Sequence, residues 1–272
     1  DASHRLGLNG RRTMSLAQKL YEEGYITYHR TDSVATSLSF QSNARSFIKK
    51  EHGSSYLPDK PRFYSTKQKL AQEAHEAIRP TRASNQPLAI SNQLGAQYGK
   101  LYELIWRRAV ASQMTDAIIE STTVLVDVSD NRHPGGSPSS DGRPIGSQGD
   151  SIASLQNDKT KNVYRLKTTG SVLAFDGFLK VNPMGLQDNR LPTFKVLEKL
   201  TPTSINKQFH ETPPPPRYND ASLIKTLEEK GIGRPSTYAT IVSTIESRLY
   251  VERDQGRRFA PTSAGIAVND FL

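Results

Sequence analysis

In the run Gly24-Tyr25-Ile26-Thr27-Tyr28-His29-Arg30-Thr31-Asp32-Ser33, a tyrosine hydroxyl and a guanidinium stand two residues apart. Aromatic and β-branched residues dominate its first half, so the run reads as strand-like. Side chains at i, i+2 and i+4 of a strand share a face, and the spacing predicts Tyr28, Arg30 and Asp32 pointing the same way. A phenol with a pKa of about 10 is a poor nucleophile at neutral pH. An always-charged arginine beside it favours phenolate and binds the phosphate under attack. That is the chemistry of a covalent phosphotyrosine intermediate. Tyrosine and threonine also suit strands for packing alone, so Tyr-x-Arg by itself does not establish catalysis.

A second group gathers near Gly231-Ile232-Gly233-Arg234-Pro235-Ser236-Thr237. Pro235 suits the first turn of a helix, and amides at a helix N-terminus form an anion site. Arg234, Ser236 and Thr237 add a guanidinium and two hydroxyls, and Arg248 falls three turns on, close to the same face. Helix capping is the commoner role of a Ser-Thr pair, and the two roles can coexist. His75-Glu76 lacks the second histidine of a zinc-protease helix, so that metal site is rejected. Gln18 and Glu22, four apart, share a helix face away from the apolar one, which fits solvated surface. With no cysteine there is no cysteine zinc site, and no metal ligands are assigned.

The Gly24–Ser33 string resembles the active-site segment of the type IA DNA topoisomerases, and Gln72-Glu73-Ala74-His75-Glu76-Ala77-Ile78-Arg79-Pro80-Thr81 is similar to that family's second signature. Pro214-Pro215-Pro216-Arg217-Tyr218 and Gly231–Ala239 resemble its later DNA-binding block. The His-Glu-Ala-Ile-Arg-Pro string looks like the bacterial topoisomerase I branch, although His29 beside Tyr28 is also similar to reverse gyrase. The resemblance implies ATP-independent relaxation of negatively supercoiled DNA through a 5′-phosphotyrosyl link, strand passage and religation. It implies Tyr28 as nucleophile, Arg30 as stabiliser of the phosphate charge and Asp32 as orienter of Arg30. It places His75 at a phosphate near the cleavage point, and Gln18 and Glu22 near the DNA strand. Mg2+ is expected on a Toprim domain outside this chain, together with the general acid, so the chain reads as a central fragment that is inactive alone. The alternative from another class is a non-catalytic winged-helix DNA-binding protein.

The elements that must position these residues follow from pattern. Met14, Ala17, Leu20 and Tyr21 recur at helical spacing over residues 10–23, with Gly24 as a left-handed stop. Residues 98–114 carry a strong amphipathic pattern, Leu101, Leu104, Ile105, Ala109 and Met114 inward and Trp106 an anchor. Alternating runs at 121–128 and 162–166 predict strands, separated by a Ser-, Gly-, Pro- and Asp-rich stretch at 129–161 that reads as a disordered insertion. After Pro213–Pro216 come two helices and a short hairpin, a helix-turn-helix with a basic wing.

The expected fold is therefore α+β and multidomain. It has a helical nucleophile domain at 1–115, a β-rich arch at 116–212 and a winged-helix unit at 213–272. A net charge of +9 over 272 residues points to a polyanionic partner, here single-stranded or underwound DNA, and the absence of a long apolar run excludes a membrane span. A bacterial source implies the cytoplasm and nucleoid, whereas the low-complexity stretch fits a eukaryotic copy sent to chloroplast, mitochondrion or nucleus.

Overall fold

The computed structural model describes residues 1–65, 76–129 and 163–272. They form two compact units: residues 1–116, 177–183 and 205–272 in one, 117–176 and 184–204 in the other. The mixed α+β class is as expected. Residues 205–272 pack in the same unit as 1–116, across the predicted divisions at 115 and 212. The stretch 129–161 lies, apart from Ser129, outside the described residues, as do His75 and most of the predicted helix or turn at 68–78.

In the first unit, α1 (Ala2–Leu6) leads into α2 (Gly10–Glu22), where Asn9 accepts a hydrogen bond from the Arg12 amide at 2.8 Å and caps the helix. Leu16, Ala17 and Leu20 are the buried stripe of α2. Tyr21, predicted inward, is 40% exposed at the rim, one helical position past that stripe. The C-terminus of α2 closes as a Schellman motif, the Gly24 amide to Tyr21 and the Tyr25 amide to Leu20, both at 2.9 Å. This requires the left-handed φ of 74° at Gly24, which glycine adopts at little cost.

α3 (Leu38–His52), α4 (Pro87–Leu94) and α5 (Ala96–Ala111) complete the helical layer. Their core joins Leu16, Leu20, Ile26, Phe40, Ile48, Tyr102, Trp106 and Met114, and the polar atoms of its two largest aromatic side chains are satisfied. The Trp106 indole donates to the Ala83 carbonyl at 2.7 Å and the Tyr102 hydroxyl to the Asn85 carbonyl at 3.1 Å. Leu104 and Ile105 are only half-buried, so the inward face of α5 is centred on Leu101, Tyr102 and Trp106.

The strand predicted over residues 24–33 does not form. A single bridge, Ile26 to Pro80, is all the regular pairing it makes, flanked by the Thr27 amide to the Arg79 carbonyl and the Thr81 amide to the Tyr25 carbonyl, both 2.9 Å. Pro80 has no amide to extend a ladder. Burial does not follow period two either: Ile26 and His29 are inside, Tyr28 and Arg30 outside.

The C-terminal segment of this unit builds α6 (Asp220–Glu229) and α7 (Tyr238–Ser247), then the antiparallel pair β3 (Val251–Arg253) and β4 (Phe259–Pro261), then α8 (Ser263–Phe271). A reciprocal capping box of Asn219 and Ser222 starts α6. The second unit is built on an antiparallel pair that comes earlier in the chain, β1 (Ile118–Ser129) with β2 (Val163–Phe175). Asn189 and Ser171 exchange backbone bonds at 2.8 and 2.9 Å on its outer edge.

Candidate functional site

The Schellman turn at Gly24 fixes where the chain leaves α2, and residues 76–81 fix where it goes. Thr27 is held from two directions, its hydroxyl donating to the Ala77 carbonyl at 2.7 Å and accepting from the Arg79 amide at 2.9 Å. Glu76 then binds Arg79 as a fork, Nε to Oε1 at 2.6 Å and Nη2 to Oε2 at 2.8 Å, and accepts from the Ser37 amide at 2.6 Å. Burial alone would raise the Glu76 pKa. The Arg79 and Ser37 bonds outweigh it and hold the carboxyl below its ordinary value. The Arg79 guanidinium also covers the Phe40 ring at 4.8 Å. The second signature thus braces the Tyr28 segment against the start of α3, a role sequence reading missed.

Tyr28 is 42% exposed on this braced segment. Its ring meets Tyr21 edge to face at 5.3 Å and His29 at 5.5 Å. Arg30 is exposed and Asp32 half-buried. One turn back on α2, the Gln18 amide donates to Glu22 at 2.7 Å, so the two share a face as the spacing requires.

The start of α7 comes close to the same segment. Burial, and next the charge of Glu228, raise the pKa of Tyr238, with Asp32 acting in the same direction and Arg234 against it. Asp32, Arg234 and Tyr238 are therefore electrostatic neighbours although about 200 residues separate the first from the others. α2 itself reaches α6 through the Gly10 amide, which donates to Asp220 at 3.3 Å.

At Arg234–Thr237 the helix starts later than predicted, at Tyr238, and the four residues before it form a turn. The Thr237 and Tyr238 amides donate to the Arg234 carbonyl at 2.8 and 3.1 Å, and the Thr237 hydroxyl accepts from the Arg234 amide at 2.8 Å. Thr237 thus staples the turn. Gly233 beneath it adopts φ 82°, a left-handed conformation that glycine takes at little cost. Ser236 and the Arg234 side chain remain at the exposed surface, and Arg248 caps the far end of α7, exposed as well.

The site is thus a helical layer bracing an exposed tyrosine two residues from an exposed arginine, with the start of α7 close to the same segment. The family model described as DNA topoisomerase matches residues 1–272, and the chain belongs to that family, as a bacterial type IA member. The DNA topoisomerase 1 of Xylella fastidiosa is 42% identical over 291 residues, covering all of this chain and 32% of that relative. The Vibrio cholerae DNA topoisomerase 1 is 43% identical over 273 residues, covering all of this chain and 27% of its own. The structure of full-length topoisomerase I from Thermotoga maritima superposes with a TM-score of 0.72 at 29% identity, over all of this chain and 40% of that one. The chain thus spans about a third of the length of the curated relatives it matches. Among the described residues no group of three or more His, Cys, Asp or Glu side chains is placed to hold a metal ion, and no helix is long and apolar enough to cross a membrane.

Proposed function

We propose that this chain is the strand-cleaving part of an ATP-independent topoisomerase that relaxes negatively supercoiled DNA. The observation that carries the reading is the Tyr28 phenol, exposed beside Arg30 on a segment pinned by Thr27, Arg79 and Glu76. Tyr28 Oη attacks a phosphorus of a single or underwound strand. The Oη–P bond forms as the P–O3′ bond breaks, the phenol proton leaves, and the departing 3′-oxygen takes a proton. The 5′-phosphotyrosyl link keeps the energy of the phosphodiester, so religation is the same exchange reversed and no nucleotide is consumed. Arg30 stabilises the charge on the five-coordinate phosphorus, Asp32 orients Arg30, and His75 contributes a further phosphate contact.

Gln18 and Glu22 lie along the strand upstream of Tyr28. Arg234, Ser236 and Arg248 bind the phosphate backbone, with Thr237 holding the turn that presents them, from a winged helix in which α6 and α7 form the helix-turn-helix and β3–β4 the wing. Residues 1–115 carry the nucleophile, 116–212 the arch and 213–272 the winged helix. Among the described residues no side-chain group fits a Mg2+ site, so no step here runs through the ion, which is assigned to a Toprim domain outside these residues. The bacterial relatives favour a cytoplasmic setting at the nucleoid. The test is Tyr28→Phe in the full-length protein, which keeps the ring and removes only the nucleophilic oxygen. Cleavage of a single-stranded oligonucleotide is lost while binding stays within a few-fold. Residual relaxation by that variant would end the assignment in favour of a non-catalytic DNA-binding role for this chain.

A further inference from the structure

His29 is a buried titratable group that the reaction above does not use, and it sits next to the nucleophile in the chain. It is 3% exposed, and neither ring nitrogen has a hydrogen-bond partner among the described residues. Its ring packs against Tyr21 at 6.0 Å and Tyr28 at 5.5 Å, while those two meet at 5.3 Å, so the three rings close a triangle. The titratable and charged groups facing it are Tyr21 and Glu22 from α2 and Tyr28 and Arg30 from its own segment. Only Glu22 favours a cation there, and Arg30 opposes it.

We propose that His29 is a positioning residue for the nucleophile: as a neutral ring wedged against Tyr21 and Tyr28 it fixes the orientation of the phenol, and taking up a proton releases it. A buried imidazolium would carry two N–H donors with no acceptor, next to a guanidinium. Burial first, and Arg30 second, hold the His29 pKa below its ordinary value. The sign follows from linkage. A histidine depressed in the closed form takes up protons more readily when the triangle opens, so closure is fully favoured above about pH 6.5 and weakens as pH falls below it.

The inference rests on the reading of Tyr28 as nucleophile, and the experiment separates the two. Single-turnover cleavage of a labelled single-stranded oligonucleotide is followed in the full-length protein with Mg2+ from roughly pH 5 to 8. The parent is compared with His29→Met and His29→Gln, both neutral throughout. The parent's rate falls about tenfold or more on the acid side. The two variants are a few-fold slower at pH 8 but nearly flat with pH. Either variant that is folded by circular dichroism carries the comparison, so loss of one does not remove the test. Variants that keep the parent's acid limb, or a parent that is itself flat, overturn the inference. A parent that forms no covalent adduct at any pH removes the nucleophile reading, and the inference falls with it.

Discussion

At the scale of single residues, the α7 start separates two jobs that the sequence left joined. The Thr237 hydroxyl is bound into its own turn, whereas the Arg234 guanidinium spends one donor on the Gly233 carbonyl at 2.8 Å and keeps the rest at the surface. Arg234→Ala is therefore expected to weaken single-stranded DNA binding by about 1 to 3 kcal/mol and to flatten its salt dependence, with little change in thermal stability. Thr237→Ala is expected to cost about 1 kcal/mol of stability first, and DNA affinity only through the loosened turn. Fluorescence anisotropy over a salt series, beside a thermal melt, distinguishes them; equal loss of affinity with no loss of stability in both would show the hydroxyl to be a phosphate ligand instead. The Gln18–Glu22 pairing was readable because it is a spacing of four on one helix. The brace of Thr27 by Arg79 and of Ser37 by Glu76 spans 52 and 39 residues, and no local pattern carries such a contact.

Among elements, α2 and α5 were legible, α1, α3, α4 and α8 went unread, and the reactive segment was misread as a strand. α2 and α5 follow from apolar residues three and four apart with Asn9 or Gly95 at their starts and Gly24 beyond the end of α2. Residues 24–33 have strand composition, but their partner contains Pro80 and they are tied to a helix and to the segment carrying the half-buried Glu76–Arg79 pair, so tertiary contacts override propensity. The late start of α7 has a similar cause, since Thr237 stabilises a turn that delays the helix. The join between α2 and the C-terminal segment rests on Arg253. Its guanidinium spans Asp220, at 2.6 and 3.2 Å, and Glu246, at 3.0 Å and through a second, shorter bond, and lies over Phe259 at 4.5 Å. Asp220 is 5% exposed and also receives the Gly10 amide. Removing the cation strands two carboxylates, so Arg253→Met is expected to destabilise the protein by about 3 kcal/mol, the lower part of the range for a broken buried pair because Arg253 is partly exposed. Chemical denaturation measures it, and a loss below about 0.5 kcal/mol would class the cluster as an ordinary surface network.

For the whole molecule, the net charge of +9 suits the DNA partner proposed for this chain. Charge alone did not choose between DNA and other anionic partners, and the motif strings did. The grouping of residues 205–272 with 1–116 was invisible in sequence because it depends on contacts such as Arg257 to the Gly7 carbonyl, 250 residues apart. The central claim is that Tyr28 becomes covalently joined to a DNA 5′-phosphate. The most direct measurement stops the full-length protein in mid-reaction with denaturant, digests it with trypsin and sequences the nucleotide-bearing peptide by mass spectrometry. The account predicts the adduct on the peptide Leu20–Arg30, at Tyr28, with the DNA attached through its 5′-phosphate and a free 3′-hydroxyl on the released fragment. An adduct on any other residue, or one carrying a 3′-phosphate linkage, would contradict it.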